Sequence, residues 1–393
     1  MKVIENLFRA NFLTTGLAMF AMFFGSGNLI FPVAIGRMAG EQNGWAMLGL
    51  FFTAVLLPFA TLCLLLLYNG NYNHLFQKIG VLPGKVIAFA TLALIGPFGV
   101  VPRCIAFSHS TLSIYVHSIS LVEYSAIACI IVFLLSIKRN DVVGIIGNLL
   151  TPILLVCLVV IIFRGIGVGP ADLKEASSES VLTMIQHGFI AGYKTFDIFA
   201  ALFFAGAIIP AFRQVLGQRM HDDKKSLMSL AVRSSIVGMI LLFLVYAGLS
   251  TVAANLRGAL ATVPEDKLLG VIASMTMGQQ AGLIANVIVT LACLTTAISL
   301  AVVSAEFFRK EIFFNRVSYV NCLIVTMLIS FAFACLGFSG IMRLVIPILM
   351  VLCPAVITLI IVSGLNYFFG FKYIKTPVYI VFAISLMMVT LKL

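Results

Sequence analysis

Eleven stretches of this chain are apolar almost throughout, and only short polar links separate them. They lie near 12–36, 44–68, 85–107, 121–137, 142–163, 181–212, 230–254, 281–306, 317–337, 341–366 and 376–391. A helix needs about 20 such residues to cross the ~30 Å hydrocarbon core of a bilayer. The expected fold is therefore an all-α polytopic membrane protein with about eleven transmembrane helices, forming one domain over residues 1–393. Composition leaves little alternative. Residues are 62% hydrophobic and only 10% charged, whereas soluble domains carry roughly 25% charge. A chain this poor in charge has no means of covering its own surface in water, so most of its solvent is lipid. The fourth stretch is short and carries Glu123, which leaves it the least margin as a span.

The net charge of +11 sits mainly in the links. It is read as setting membrane orientation, and a nucleic-acid role is excluded on that basis. With the N-terminus in the cytoplasm, sixteen lysines and arginines fall inside and seven outside, in the sense of the positive-inside rule. An odd number of spans then leaves the C-terminus outside. The first apolar stretch is long enough to span and has no small-residue cleavage site, so no cleavable signal peptide is expected. Eight cysteines lie in or at the ends of apolar stretches with no Cys-x-x-Cys pair. They are read as small apolar residues. The five histidines show no ligand spacing; His187, near the sixth stretch, either titrates or simply packs. No nucleotide loop or catalytic constellation is present, which argues against an enzyme or an ATP-driven pump. What remains is a carrier of a small solute.

Two stretches break the apolar pattern at their middle. The first reads Phe24-Gly25-Ser26-Gly27-Asn28-Leu29-Ile30-Phe31-Pro32, and the sixth Gly188-Phe189-Ile190-Ala191-Gly192-Tyr193-Lys194-Thr195-Phe196-Asp197. Each glycine costs a helix about 1 kcal/mol against alanine. Interrupted segments at matching positions in two halves are the sequence pointer to a transporter built of inverted repeats. Five segments precede the second break, and five is odd, so the second repeat inserts upside down. The repeats are expected at 12–163 and 181–366, with an additional C-terminal helix at 376–391.

A helix broken within a membrane has to face protein or water. At Gly25, Ser26, Gly27 and Asn28 the freed N–H groups suit a carboxylate, and the carbonyls that end the preceding half-helix suit a small cation. The other reading is small-residue packing between helices. Lys194 and Asp197 are three residues apart and at helical spacing pair with each other, either as a gate on the solute path or as a structural ion pair. Arg103, at the end of the third stretch, either gates or snorkels to the surface. In Leu291-Ala292-Cys293-Leu294-Thr295-Thr296-Ala297, the threonines either bond back to their own helix or offer oxygen to a hard cation. With two carbonyls of the broken first helix and that of Ala292, five oxygens would then surround Na⁺.

Four passages, in this order, resemble the bacterial branched-chain amino acid transport carriers. They are the glycine-rich passage at Phe24 to Pro32, Gly96-Pro97-Phe98-Gly99-Val100-Val101-Pro102-Arg103, Gly192-Tyr193-Lys194-Thr195-Phe196-Asp197, and Ala292 to Ala297 with Glu306-Phe307-Phe308. The resemblance implies Na⁺-coupled uptake of leucine, isoleucine and valine across the bacterial inner membrane, and the five-plus-five inverted-repeat fold of the leucine transporter. It places Na⁺ at Ala21, Phe24, Ala292, Thr295 and Thr296. It places the amino acid at Gly25, Ser26, Gly27 and Asn28 on one side and at Gly192, Tyr193 and Thr195 on the other. Proton coupling in the same fold, with Asp197 or His187 titrating, and methionine or another neutral amino acid as substrate, are the alternatives. Two departures from the family pattern stand out. Lys194 occupies a position where an apolar residue is expected, and the sequence ends near the eleventh stretch where the family has a twelfth.

Overall fold

The computed structural model describes residues 2–116, 118–137, 142–167, 179–216 and 224–391. Lys138, Arg139, Lys174, Arg219 and Lys392 of the charge count lie outside them, as do His117, His221 and the side chains of Lys2, Arg9, Arg213, Lys224 and Lys225. Among the described residues the regular structure is helical throughout, and the eleven apolar stretches are helical apart from local interruptions. Among the described residues, six helical stretches are long and apolar enough to cross a membrane, from Ser26–Leu67 to Gly337–Phe369, and four shorter apolar helices accompany them. The chain is a multi-pass membrane protein.

The first stretch is broken as expected: α1 covers Lys2–Phe23 and α2 covers Ser26–Ala39. The second is α3 (Asn43–Leu50) and α4 (Leu57–Leu67), joined by a widened π-type turn at Phe51–Leu56. After the short α5 (Tyr72–Gln77), the third stretch departs from expectation. It ends α6 (Val81–Ile95) at Gly96 and restarts as α7 (Val100–Leu112), five residues beyond the predicted end. Arg103 therefore lies within a buried helix, not at a membrane edge, and snorkelling is ruled out: it is 1% exposed. The fourth stretch is α8 (Leu121–Ile137). Its Glu123 costs the span nothing, because it sits exposed in the first turn and accepts from the Ser120 N–H (2.9 Å) and hydroxyl (2.8 Å). The fifth is α9 (Val142–Ile166).

The sixth stretch is broken as well, into α10 (Val181–Tyr193) and α11 (Asp197–Leu216). Then follow α12 (Lys224–Asn255), the short α13 (Arg257–Leu260) and α14 (Leu268–Met277), α15 (Gln279–Phe307), α16 (Tyr319–Ala334), α17 (Gly337–Phe369) and α18 (Lys375–Thr390). Packing falls into two groups. In one, α12 lies along α1 and α2, while α10 lies on α3 and α11 on α4. In the other, α15 packs on α7 and α8, and α16 packs on α8 and α7. Glycine allows the closest approaches in the first group. A methyl group on Gly36 of α2 would come within 2.1 Å of the Ser250 carbonyl oxygen on α12. One on Gly188 of α10 would come within 1.8 Å of the Ala46 carbonyl oxygen on α3. Small residues at such crossings let backbones meet in a solvent that supplies no hydrophobic drive between helices.

Candidate functional site

Both breaks face one cleft. Gly25 leaves the helical ladder with extended backbone (φ −129°, ψ −165°). Its N–H donates to Asn28 Oδ1 at 3.2 Å, while its carbonyl accepts from Asn28 N at 3.2 Å. This reciprocal pair starts α2 cleanly and turns the Gly25 N–H away from Ala21, its acceptor in a continuous helix. At the second break, Thr195 Oγ1 donates back to the Gly192 carbonyl (2.9 Å) and accepts from Asp197 N (3.4 Å). Phe196 sits in the left-handed region (φ 69°). A non-glycine residue there costs about 1–3 kcal/mol and persists only where its surroundings hold it.

What holds it is Arg103. Its guanidinium carbon lies 4.9 Å from the Phe196 ring centroid and 5.7 Å from that of Phe31. Nη1 donates to the Lys194 carbonyl at 2.6 Å and Nη2 to the Thr195 carbonyl at 3.3 Å. These are carbonyls that the interruption of the sixth stretch releases. Nε donates to Ser26 Oγ at 3.2 Å, which ties the first break to the second. Ser26 Oγ also lies 3.3 Å from Cys104 Sγ. Gly27 is where this construction demands glycine: a methyl group there would lie 2.7 Å from Arg103 Nη2 and 2.9 Å from Thr195 Cα.

Asp197 opens α11 and is 4% exposed. A carboxylate at a helix N-terminus is favoured by the dipole and the free N–H groups. Its Oδ2 accepts from Asn28 Nδ2 at 2.7 Å and from the Tyr246 hydroxyl at 3.4 Å, and Asn28 Nδ2 also bonds the Tyr246 hydroxyl. The expected Lys194–Asp197 pair does not form. The chain turns between the two residues, so helical spacing does not apply, and no ion pair joins them among the described residues. Lys194 is half-buried with its ammonium 6.0 Å from the Phe31 ring centroid, and its carbonyl, not its charge, enters the site.

The cleft is lined by Gly25, Ser26, Asn28, Arg103, Thr195, Asp197 and Thr296, which bring its polar groups. Met22, Phe23, Ile95, Val100, Phe196, Ala200, Phe204 and Leu300 bring its apolar surface. About 310 Å³ lies between their atoms, but the clear room is little more than one water molecule fills. Gly192 and Tyr193 do not line it. Gly192 packs on Thr53 in the π-type turn, where a methyl group would come within 1.8 Å of the Thr53 hydroxyl, and the Tyr193 ring lies against Phe189 at 5.4 Å. His187 is also apart from the cleft, exposed and 3.1 Å from a Glu179 carboxylate oxygen. Tyr246 is a site residue that sequence reasoning missed. Its only signal was that a tyrosine hydroxyl inside an apolar run has to find a partner.

Beside the cleft, Thr296 Oγ1 donates to the Ala292 carbonyl (3.2 Å) and reaches the Phe24 carbonyl at 3.5 Å, across from α15 to the end of α1. Thr295 Oγ1 donates to the same Ala292 carbonyl at 2.8 Å. The threonines thus bond back to their own helix, yet these contacts link four uncharged oxygens from two segments pairwise at 2.8–3.5 Å, the kind of donor that hard cations accept. Among the described residues no cluster of histidine, cysteine and carboxylate side chains offers a site for a softer metal.

The sequence profile of the family described as branched-chain amino acid transport protein matches residues 8–392. The branched-chain amino acid permease BrnQ of Corynebacterium glutamicum is 31% identical over 351 residues, covering 89% of this chain and 80% of the permease. A putative branched-chain amino acid carrier protein of Staphylococcus aureus is 29% identical, covering 96% and 88%. The branched-chain amino acid transport system 2 carrier protein of Pseudomonas aeruginosa is 30% identical, covering 89% and 80%. These relatives are named as permeases and carriers, not as enzymes. With nearly its whole length matched, the chain belongs to the branched-chain amino acid transport protein family.

Proposed function

We propose that this protein is a Na⁺-coupled symporter that imports leucine, isoleucine and valine across the bacterial inner membrane by alternating access. The observation that carries the reading is the convergence of two broken helices on a cleft lined by both polar and apolar residues. An α-amino acid with an aliphatic side chain needs both. The helix packing supports a five-plus-five inverted repeat. Exchanging the first five segments for the second five turns the contacts of α1 and α2 with α12 into those of α10 and α11 with α3 and α4. The same exchange turns the contact of α7 with α16 into that of α15 with α8. Na⁺ is the hard cation that the oxygens of Phe24, Ala292, Thr295 and Thr296 suit, with Ala21 one turn before Phe24 as a fifth donor. It would brace the end of α1 against α15 while the amino acid binds, and the first packing group would then rock against the second.

An apolar wall separates neighbouring side chains by only about 1–3 kcal/mol per methylene, so methionine is expected as a weaker substrate. Proton coupling is the second reading, and the buried carboxylate of Asp197 in the cleft wall favours it. Uptake of radiolabelled leucine into proteoliposomes separates the two. Na⁺ coupling requires accumulation driven by an inward Na⁺ gradient at equal pH. Accumulation under a pH gradient alone, in Na⁺-free buffer, would establish the proton reading instead. Thr295→Ala with unchanged Na⁺ dependence would remove the ion from this place.

A further inference from the structure

The cleft contains one buried cation and one buried anion, and they are not bonded to each other. Arg103 is 1% exposed and its bonds go to a serine hydroxyl and two backbone carbonyls. Asp197 is 4% exposed and its carboxylate accepts from an amide and a phenol. No ion pair joins the two among the described residues, although both line the same cleft. Charges taken out of water are costly unless paired. Two opposite charges kept apart by neutral groups in one cavity are placed for a ligand that brings a charge of each sign.

We infer that Arg103 and Asp197 are the substrate-recognising residues of this carrier, Arg103 taking the carboxylate and Asp197 the ammonium of an α-amino acid zwitterion. The assignment rests on the amino-acid reading above and deepens it. Both groups are anchored on the same two passages: Arg103 at Ser26 and Thr195, and Asp197 at Asn28 with its own N–H on Thr195. An amino acid carries its two charges on substituents of one carbon. Arginine offers a planar fork that matches a carboxylate with two parallel bonds. The substrate carboxylate takes over the guanidinium from the Lys194 and Thr195 carbonyls, whereas Asp197 keeps Asn28 and Tyr246 on Oδ2 and offers Oδ1 to the ammonium. The carbonyls so freed are further acceptors for the ammonium. The apolar lining residues, among them Met22, Phe204 and Leu300, are then left for the side chain.

Competition against radiolabelled leucine uptake in proteoliposomes tests the pairing. Leucinamide lacks the carboxylate and 4-methylpentanoate lacks the ammonium. Against the wild-type protein each should compete at least ~100-fold more weakly than leucine, the scale of a lost bond to a charged group. Arg103→Gln should bring the leucine-to-leucinamide ratio within about tenfold and leave the 4-methylpentanoate ratio in place; Asp197→Asn should do the reverse. Arg103→Lys should not restore the wild-type ratio, since a point charge does not replace the fork. Ratios unchanged in both variants, or shifted equally in both, overturn the assignment. If a variant does not reach the membrane, thermal stabilisation of the purified wild-type protein takes its place. Leucine should then raise the melting temperature well above either analogue, and an analogue that matches leucine overturns the assignment. A wild-type protein that transports another amino acid sinks the branched-chain reading alone, and the corresponding amide and deamino acid of that substrate then test the charges. Transport of a solute that is not an amino acid sinks both.

Discussion

Replacing Asn28 by alanine removes the piece that joins the two breaks on their anionic side. Its side chain is 1% exposed and uses three bonds: it accepts from Gly25 N at 3.2 Å, donates to Asp197 Oδ2 at 2.7 Å and donates to the Tyr246 hydroxyl. A neutral bond contributes about 1 kcal/mol net and one to a charged group about 1.5–3. Losing the Gly25 and Asp197 bonds together therefore costs roughly 2.5–4 kcal/mol. The Tyr246 hydroxyl, already 3.4 Å from Asp197 Oδ2, recovers part of this, so about 2–3 kcal/mol remains, or ~10²-fold. The expected kcat/KM for leucine uptake falls by about that factor. The sharper measurement is a double-mutant cycle with Asp197→Asn. Residues joined by a charged bond show interaction energies of about 0.5–3 kcal/mol, so the double variant should fall no more than about tenfold below the worse single variant. Losses that simply multiply would refute a bond between Asn28 and Asp197 that matters for transport. Surface expression and elution as a single species have to be matched across all four proteins, so that the cycle reads function and not yield.

Gly188→Ala should lower the yield of folded protein, since its methyl group would meet the Ala46 carbonyl at 1.8 Å and overpacking costs about 1–3 kcal/mol; Gly44→Ala, with nothing within 4 Å, is the control, and equal melting temperatures would contradict the close crossing. Thr296→Val keeps the shape of the side chain and removes the oxygen 3.5 Å from the Phe24 carbonyl. It should raise the Na⁺ concentration for half-maximal uptake by about tenfold or more, and an unchanged Na⁺ titration would exclude Thr296 from the ion path. Lys194→Met should leave leucine uptake within about threefold, because the side chain contributes only a distant contact to Phe31 (6.0 Å) while the backbone carbonyl serves Arg103; a loss beyond ~30-fold would give the ammonium itself a role.

The breaks were legible because their cause is local. Glycines at 25 and 27 with Asn28, and Gly192 with a polar run after it, weaken a helix whatever packs around them. The interruption at Gly96 to Gly99 carries the same kind of signal, but the apolar stretch continues through it to 107 and reads as one span. The polar residues after Phe107 lower the hydropathy of a helix that is nonetheless buried: Ser108 and Thr111 are fully inside and bond carbonyls of their own helix. Segment length judged by hydropathy fails wherever an inner helix faces protein on all sides. Arg103 was misplaced for that reason, and no local pattern announces that its partners lie at Ser26, Lys194 and Thr195. Lys194 and Asp197 erred in the opposite direction. Their spacing suggested a pair, and the break the same passage predicts is what separates them. Tyr246 sits in an apolar run where its ring reads as core, and only its position opposite Asn28 and Asp197 gives the hydroxyl a purpose.

These contacts also bear on how a solute couples to movement. Arg103, on α7, holds the released carbonyls at the end of α10, and Asn28 with Tyr246, on α2 and α12, holds the carboxylate at the start of α11. Elements of both packing groups are therefore tied at one point by bonds to buried charges. Separating them without replacement leaves a guanidinium or a carboxylate short of partners in a site that water barely enters, at several kcal/mol each. A ligand shifts an equilibrium only by as much as it favours one state over the other. A zwitterion that supplies new partners to both charges lowers the cost of parting the elements, whereas a solute with one charge relieves only one side. Selection for an amino acid and permission to move then arise from the same few bonds, and the apolar wall is left to choose among side chains.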